Sequence, residues 1–244
     1  MKHFLYLLFS VLLFTACNKE QMDDCFTSTG NEIKETRQLE FFTELEVRGD
    51  FNLVLVEDSV NFIKLEAGSK LMEQLKTRVE FQRLLIENTN TCNWVRSYKK
   101  PKNLELHCNA LERITINGTT NLSNKDTLRQ DTLRIKLFSN NGLIHLNVAN
   151  QQLTIEQPSG AAELSANGRT GVLIFNPGDR VSGNFLNFNA LRVEAESRSE
   201  IDCYVKASES LKLITRAGGS LLFTGDAEDI EKASFGEGSV SRIY

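Results

Sequence analysis

The chain has no C-x-x-C pair, and of its three histidines only His107 and His145 lie beyond the first few residues. A structural zinc site needs Cys and His ligands at short, fixed spacings, so none is expected. Charge of one sign is never concentrated: 28 Lys and Arg are interspersed with 32 Asp and Glu. Nothing resembles the basic stripe of a nucleic-acid binder. A bilayer-spanning run is missing too, because the longest apolar stretch reaches only from Phe4 to Phe14. At about 1.5 Å rise per residue, that covers roughly half of a hydrocarbon core about 30 Å thick.

That short stretch follows Lys2, ends in Leu13-Phe14-Thr15-Ala16-Cys17, and gives way to polar Asn18-Lys19-Glu20. This is the pattern of an export signal that is removed from the mature protein. Thr15 and Ala16 directly before Cys17 resemble a bacterial lipobox, in which the Cys thiol takes a diacylglycerol and becomes the new N-terminus. Phe14 departs from the usual Leu three residues before the Cys. An ordinary secretory signal with Cys17 as a bystander is the alternative, but no A-x-A site lies nearby. Residues 1–16 therefore read as a lipoprotein signal and 17–32 as a lipidated, solvated tether. Glu20, Asp23, Asp24 and Glu32 give the tether an acidic character that resembles the surface-export signal of Bacteroidetes lipoproteins.

Without residues 1–16, Lys2 is lost from the 28 basic side chains while all 32 acidic ones remain, so the net charge becomes −5. The length left, 17–244, suits one large β domain or two small ones. Four cysteines remain besides Cys17, namely Cys25, Cys92, Cys108 and Cys203. In an oxidising envelope they admit two bridges in three connectivities. Cys92 with Cys108 is the favoured pair, because it closes residues 93–107 as a loop. Cys203 alternates with Ile201 and Val205 and reads as a buried small apolar residue.

Residues 33–110 form an N-terminal β region. Leu45 and Val47, Leu53 and Leu55, Phe62 and Leu65, and Leu84 and Ile86 mark half-buried strands, with Glu57-Asp58-Ser59 expected to turn one strand into a hairpin partner. Ser69 to Lys76 carries Leu71, Met72 and Leu75 at helical spacing and is the one helix expected.

From 111 to 244 the chain repeats. Leu111, Leu133, Leu153, Val172, Leu191, Leu211 and Ile230 open short alternating strands at spacings of 22, 20, 19, 19, 20 and 19. Half a period later come Leu143, Leu164, Val181, Ile201, Leu221 and Val240, after polar or Gly-rich turns such as Asn140-Asn141-Gly142, Ser197-Arg198-Ser199 and Gly236-Glu237-Gly238-Ser239. A unit of about 20 residues cannot bury its apolar side alone, and stacking successive units does so. The expected fold is all-β: a right-handed parallel β-helix or β-solenoid with two-strand repeats. An antiparallel β-sandwich is the alternative. In the unit around residue 200, Leu191, Val193, Ala195, Ile201, Cys203 and Val205 are expected inside, with Arg192, Glu194, Asp202, Tyr204 and Lys206 outside.

The order of Phe42, Leu45 to Arg48, Gly49, Phe51 to Val56, Val60 to Glu66, Leu71, Thr77 to Ile86, Leu104 to Leu106 and Leu111-x-x-Ile114-x-Ile116-Asn117-Gly118 resembles the putative auto-transporter adhesin head GIN domain family, over residues 40–240. The resemblance implies a right-handed β-helix with Gly-Ser-Gly-like turns, a proposed role in adhesion and no catalytic residues. Such turns occur at Gly218-Gly219-Ser220 and Gly236-Glu237-Gly238-Ser239, whereas Ser197-Arg198-Ser199 departs from them.

Several features are candidate sites. Arg48-Gly49-Asp50 spells an integrin-binding tripeptide but falls between two strands, where Gly49 supplies a turn. Glu194, Glu196, Glu200 and Asp202 could provide the carboxylate pair of a glycan-cleaving enzyme. Interleaved with Arg192, Arg198 and Lys206, they read better as a solvated face. Asp58-Ser59-Val60, Asp126-Thr127-Leu128 and Asp131-Thr132-Leu133 resemble a Bacteroidetes O-glycosylation acceptor. Trp94, with Tyr98, Lys99 and Lys100, could stack on a sugar or pack over an end of the β-helix.

The expectation is a non-catalytic cell-surface lipoprotein without cofactor, held to the outer membrane through Cys17, that binds a host or microbial surface glycan or protein and could self-associate. A β-helical carbohydrate-active enzyme and a periplasm-facing structural protein are the alternatives.

Overall fold

The computed structural model describes residues 29–90 and 101–244. Cys17, Cys25, Cys92 and the Trp94 to Lys100 segment lie outside the described residues, and so do the expected lipidation and the Cys92 half of the expected bridge.

The N-terminal region forms β1 (Glu32–Gln38), β2 (Glu44–Arg48), β3 (Phe51–Glu57), β4 (Phe62–Gly68), helix α1 (Ser69–Met72), β5 (Leu75–Glu80), β6 (Arg83–Asn88) and β7 (Asn103–Cys108). β8 (Arg113–Asn117) and β9 (Thr120–Asn124) follow. The repeats supply β10 (Thr132–Asn140), β11 (Leu143–Gly160), β12 (Glu163–Asp179), β13 (Ser182–Asn184), β14 (Phe188–Ser199), β15 (Cys203–Thr215), β16 (Leu221–Thr224), β17 (Asp229–Ser234) and β18 (Val240–Arg242). Together they make a β-solenoid of about 6 turns with parallel stacked coils.

Each coil contributes one strand segment to each of two walls. In the first wall Leu133, Leu153, Leu173, Val193, Leu211 and Ile230 stand in register. In the second wall the register column runs Leu122, Ile144, Leu164, Gly183, Cys203, Leu221 and Val240. Inward residues from both walls fill one continuous apolar core. Large residues are offset by small ones. The Phe175 ring fills the space beside Gly183, where an added Cβ would lie 2.5 Å from the ring, and meets Phe185 edge-on at 4.9 Å.

These columns correct the expected phase. Val172 and Leu191 give way to Leu173 and Val193, and Leu191 is exposed; Leu143 and Ile201 are exposed as well. The cause is the corner between walls. Leu191 and Arg192 both face out in succession, which resets the alternation. The turns on the opposite side run partly inside: Asn140, Gln157, Ser197, Ser199 and Thr215 are fully buried. All five satisfy turn backbone, and three show how. Asn140 Oδ1 accepts from the N–H of Thr120 (3.0 Å) and Gly142 (2.9 Å), Ser199 Oγ donates to the Val181 carbonyl (2.7 Å), and Thr215 Oγ1 donates to that of Gly219 (2.7 Å).

In the N-terminal region the coil order is not the chain order. β2 pairs in parallel with both β6 and β8, and β3 with both β7 and β9. The coil that comes first in the chain is thus inserted between the next two. The hairpin expected at Glu57-Asp58-Ser59 does not form, because both edges of β3 are already taken by parallel strands. β4 pairs instead with β1 and β7, antiparallel to both. The expected helix stops at Met72, because Leu75 turns into β5 and buries there.

An open parallel coil presents unpaired backbone and an exposed core at each end. At the N-terminal end the antiparallel strands β1 and β5 cover the two walls. Arg37, at an inward position opposite Ile63, binds Glu35 Oε1 through Nε (2.7 Å) and reaches across to the Leu75 carbonyl on β5 (2.6 Å). At the other end Lys232 takes the inward position after Leu213, and Arg242 the one after Phe223. The Arg242 guanidinium lies 5.3 Å from the Phe223 ring centroid and donates to the carbonyls of Gly225 (2.8 Å) and Ala227 (3.1 Å). Inward-pointing charge makes a further coil of the same kind costly to add. Replacing both, Lys232→Ile with Arg242→Leu, should convert this end into a docking edge and raise the sedimentation coefficient with concentration. An unchanged profile in analytical ultracentrifugation would refute the capping role.

Candidate functional site

Outward residues also stack one per coil, so any surface on a wall is built from positions one whole repeat apart in the chain. On the second wall the rungs carry Leu143 and His145, then Glu163 and Ser165, then Ser182 and Asn184, then Asp202 and Tyr204. The two middle rungs present Ser165, Ser182 and Asn184 beside Gly183, with Glu163 as their one long side chain, and the outer rungs present larger ones. The result is a trough of about 480 Å³, with Leu143 and His145 on one bank and Asp202 and Tyr204 on the other. Three strand spacings of about 4.8 Å put the banks about 14 Å apart.

The polar groups of the trough are oriented by neighbours. His145 Nε2 faces the Asn167 amide (3.1 Å), so it accepts, and Nδ1 carries the proton toward Ser165 Oγ (2.9 Å). Asp202 Oδ1 accepts from the Ser220 N–H at 2.8 Å. An asparagine ladder leads in from the N-terminal side. Asn52 donates to Asn103 (3.0 Å), Asn121 donates to Asn52 (2.9 Å), and Asn121 Oδ1 accepts from the backbone of Leu143 (2.8 Å). Identical amides repeat at strand spacing, as stacked parallel strands allow.

Beyond the ladder lies an ionic cluster. Glu105 bonds Lys125, Lys64 (2.7 Å) and His107 Nε2 (2.9 Å), while His107 Nδ1 meets Asp58 (3.0 Å) and its ring stacks on Phe62 at 3.9 Å. The hydrogen-bond donors, Lys125 first and then Lys64 and His107, pull the Glu105 carboxyl down to about 2. A second groove, of about 260 Å³, opens on the first wall between Phe138, Pro158 and Pro177, with the Lys136–Glu156 pair (3.1 Å) along it.

The candidate sites read from sequence are mostly taken up by structure. Arg48 pairs with Glu46 (2.7 Å) and Glu87 (3.6 Å), and Asp50 Oδ1 accepts from the Thr119 N–H (3.2 Å). Gly49, at φ +132, forms the corner between walls, and Gly118 stacks on it so closely that an added Cβ would meet the Gly49 carbonyl at 2.8 Å. Glu196 pairs with Arg216 (2.8 Å) and Arg198 (2.5 Å), which lower its pKa, opposite to what a general acid requires. Glu200 accepts from the Gly218 N–H (3.1 Å), so it and Asp202 both hold turns of the next coil. Ser59 is exposed in the Asp58 turn, Thr127 is half-buried, and Thr132 opens β10. Cys108 and Cys203 are buried, and burial pushes both thiols up to about 12. The trough itself escapes a reading of the sequence, because taking Leu143 as inward turns His145 to the core face, and Ser165, Asn184 and Tyr204 lie whole repeats apart with no local motif to join them.

The fold and this surface define a class: a solenoid whose walls display long rows of stacked side chains, with no cluster among the described residues fit to hold a metal. Within that class, the chain belongs to the family described as putative auto-transporter adhesin, head GIN domain, which matches residues 41–227. Its fold is similar to that of a putative adhesin from Bacteroides fragilis, at 17% identity and TM-score 0.80, covering 87% of this chain and 97% of the other. A putative lipid binding protein from Parabacteroides distasonis is similar at 15% identity and TM-score 0.68, covering 89% and 98%. A putative adhesin from the same species has 14% identity and TM-score 0.65, covering 88% and 98%. Comparison with curated proteins yields no match. No helix among the described residues is long and apolar enough to cross a membrane.

Glu105 gives the ionic cluster a defined pH response. Its folded pKa is depressed from 4.5 to about 2. The stability it contributes is therefore complete above the ordinary carboxylate range and is lost as pH falls toward 2. Glu105→Gln should cost on the order of 1 kcal/mol at pH 7 and reduce the difference between urea midpoints at pH 7 and pH 3. Equal pH dependence in the two proteins would show that the cluster is not coupled to folding.

Proposed function

We propose that this is a lipid-anchored cell-surface adhesin that holds a hydroxyl-rich glycan chain in the second-wall trough without altering it. The observation that carries the reading is the trough's composition. Amide and hydroxyl groups with the Glu163 carboxylate line a shallow floor, neighbours orient His145, Ser165 and Asp202, and the His145 imidazole and exposed Leu143 side chain stand on the bank opposite the Tyr204 ring. Sugar rings present alternating hydroxyl edges and apolar C–H faces, which such a surface matches with few rearrangements. The family's adhesin description and the folds named putative adhesins support a binding role.

The anchor reading rests on the signal-like start and Cys17. Surface display follows from it together with the acidic tether. The neighbour described as a putative lipid binding protein suggests an acyl ligand as the rival. The polar floor of the trough favours the glycan.

Isothermal titration of the full mature chain against surface polysaccharides should detect binding. Tyr204→Ala and His145→Ala should each weaken it about tenfold, as loss of a stacking or hydrogen-bonding partner of about 1.4 kcal/mol would, with unchanged melting temperature. Binding unaffected by both variants would remove the trough from the account. New reducing ends from the incubated polysaccharide would replace adhesion with hydrolysis. On intact cells, added protease should digest the domain, and Cys17→Ser should release it from the membrane.

A further inference from the structure

At the N-terminal end of the solenoid, large apolar side chains project with nothing among the described residues to cover them. Phe81 is fully exposed at the tip of the β5–β6 hairpin, Phe41 is 55% exposed and Val60 is 53% exposed. They are neighbours through the backbone. The N–H of Thr43 donates to the Gln82 carbonyl (2.9 Å) and that of Leu39 to the Asn61 carbonyl (3.0 Å), which holds the Phe41 segment between the two turns. On the outermost strand, Ile33 stands at an inward position opposite Ala67 and is still 40% exposed.

Phe81 is an unusual choice in its own right. It and Gln82 form a two-residue hairpin turn at φ +51 and +60, left-handed values that Asn-Gly adopts at little cost and that a Phe-Gln pair does not. A residue disfavoured by both conformation and exposure implies a role outside the folded chain.

We infer that this end rests on a lipid surface, with Phe41, Phe81 and Val60 entering the headgroup layer. The inference builds on the anchor reading above, and the tether says why the occupant is lipid. Thr29 is buried, and its carbonyl accepts from the Lys70 N–H at 3.2 Å, at the same end of the solenoid. From Cys17 to Thr29 there are 12 chain steps, which span at most about 42 Å. A lipid on Cys17 joins the solenoid to the bilayer through this end, and the Lys232 and Arg242 end is joined to it only through the whole stack. Aromatic side chains are favoured at the boundary between headgroups and acyl chains.

The test uses the lipidated full chain with Trp94→Phe, reconstituted into phosphatidylcholine vesicles containing brominated phosphatidylcholine. Phe81→Trp provides the probe, and Phe235→Trp, on the last coil, provides the control. The expected result is co-flotation with the vesicles and loss of roughly half of the emission from the probe at position 81, while the control at position 235 keeps its own. Co-flotation with neither position quenched, or both quenched equally, overturns the inference and leaves the anchor standing. A chain that does not float with vesicles defeats the anchor reading, and this inference with it.

Discussion

The structure depends on one constraint: each coil must meet its neighbours in register, so that inward residues of both walls form a single apolar column. No coil has a core of its own. Its backbone bonds and its buried side chains are supplied by the coils on either side, which makes stability a matter of neighbour contacts along the stack. The constraint explains the pairing of Phe175 with Gly183 and the burial of Ser199 and Thr215 at turns. It also explains the guanidinium groups of Arg37 and Arg242 at opposite ends, where the column would otherwise lie open.

Much of this was legible in the sequence. Period-two alternation, a short regular repeat and punctuating turns lead to stacked two-strand units, and the strands of the repeat fall where the alternation puts them. Three things were not legible. The corners carry two outward residues in succession, as at Leu191-Arg192, and alternation alone cannot show where the phase resets. Polar residues at the turns read as solvated, yet Asn140 and Gln157 are inside because the neighbouring coil offers them backbone partners. Finally, the insertion of β2 and β3 between β6–β7 and β8–β9 is a choice among parallel partners of similar pattern, and tertiary competition decides it.

The same register shapes the surface. Because one residue per coil enters each outward row, a binding surface is written at intervals of a whole repeat, and His145, Ser165, Asn184 and Tyr204 become neighbours without any local motif. This is why motif-based reading points to Arg48-Gly49-Asp50 and to the Glu194 to Asp202 carboxylates. Those local clusters hold corners and turns of adjacent coils. A scaffold of this kind can change its outward rows while leaving the column intact, which is consistent with folds that match over most of their length at 14% to 17% identity.

Native-state hydrogen exchange tests the central claim most directly. If the first coil of the chain is inserted between two others, amides of β2 and β3 should exchange as slowly as those of β11 and β12, while β1, β17 and β18 at the ends of the stack exchange fastest. Fast exchange in β2 and β3, comparable to β1, would contradict the interleaved register and with it the continuous column on which the account rests.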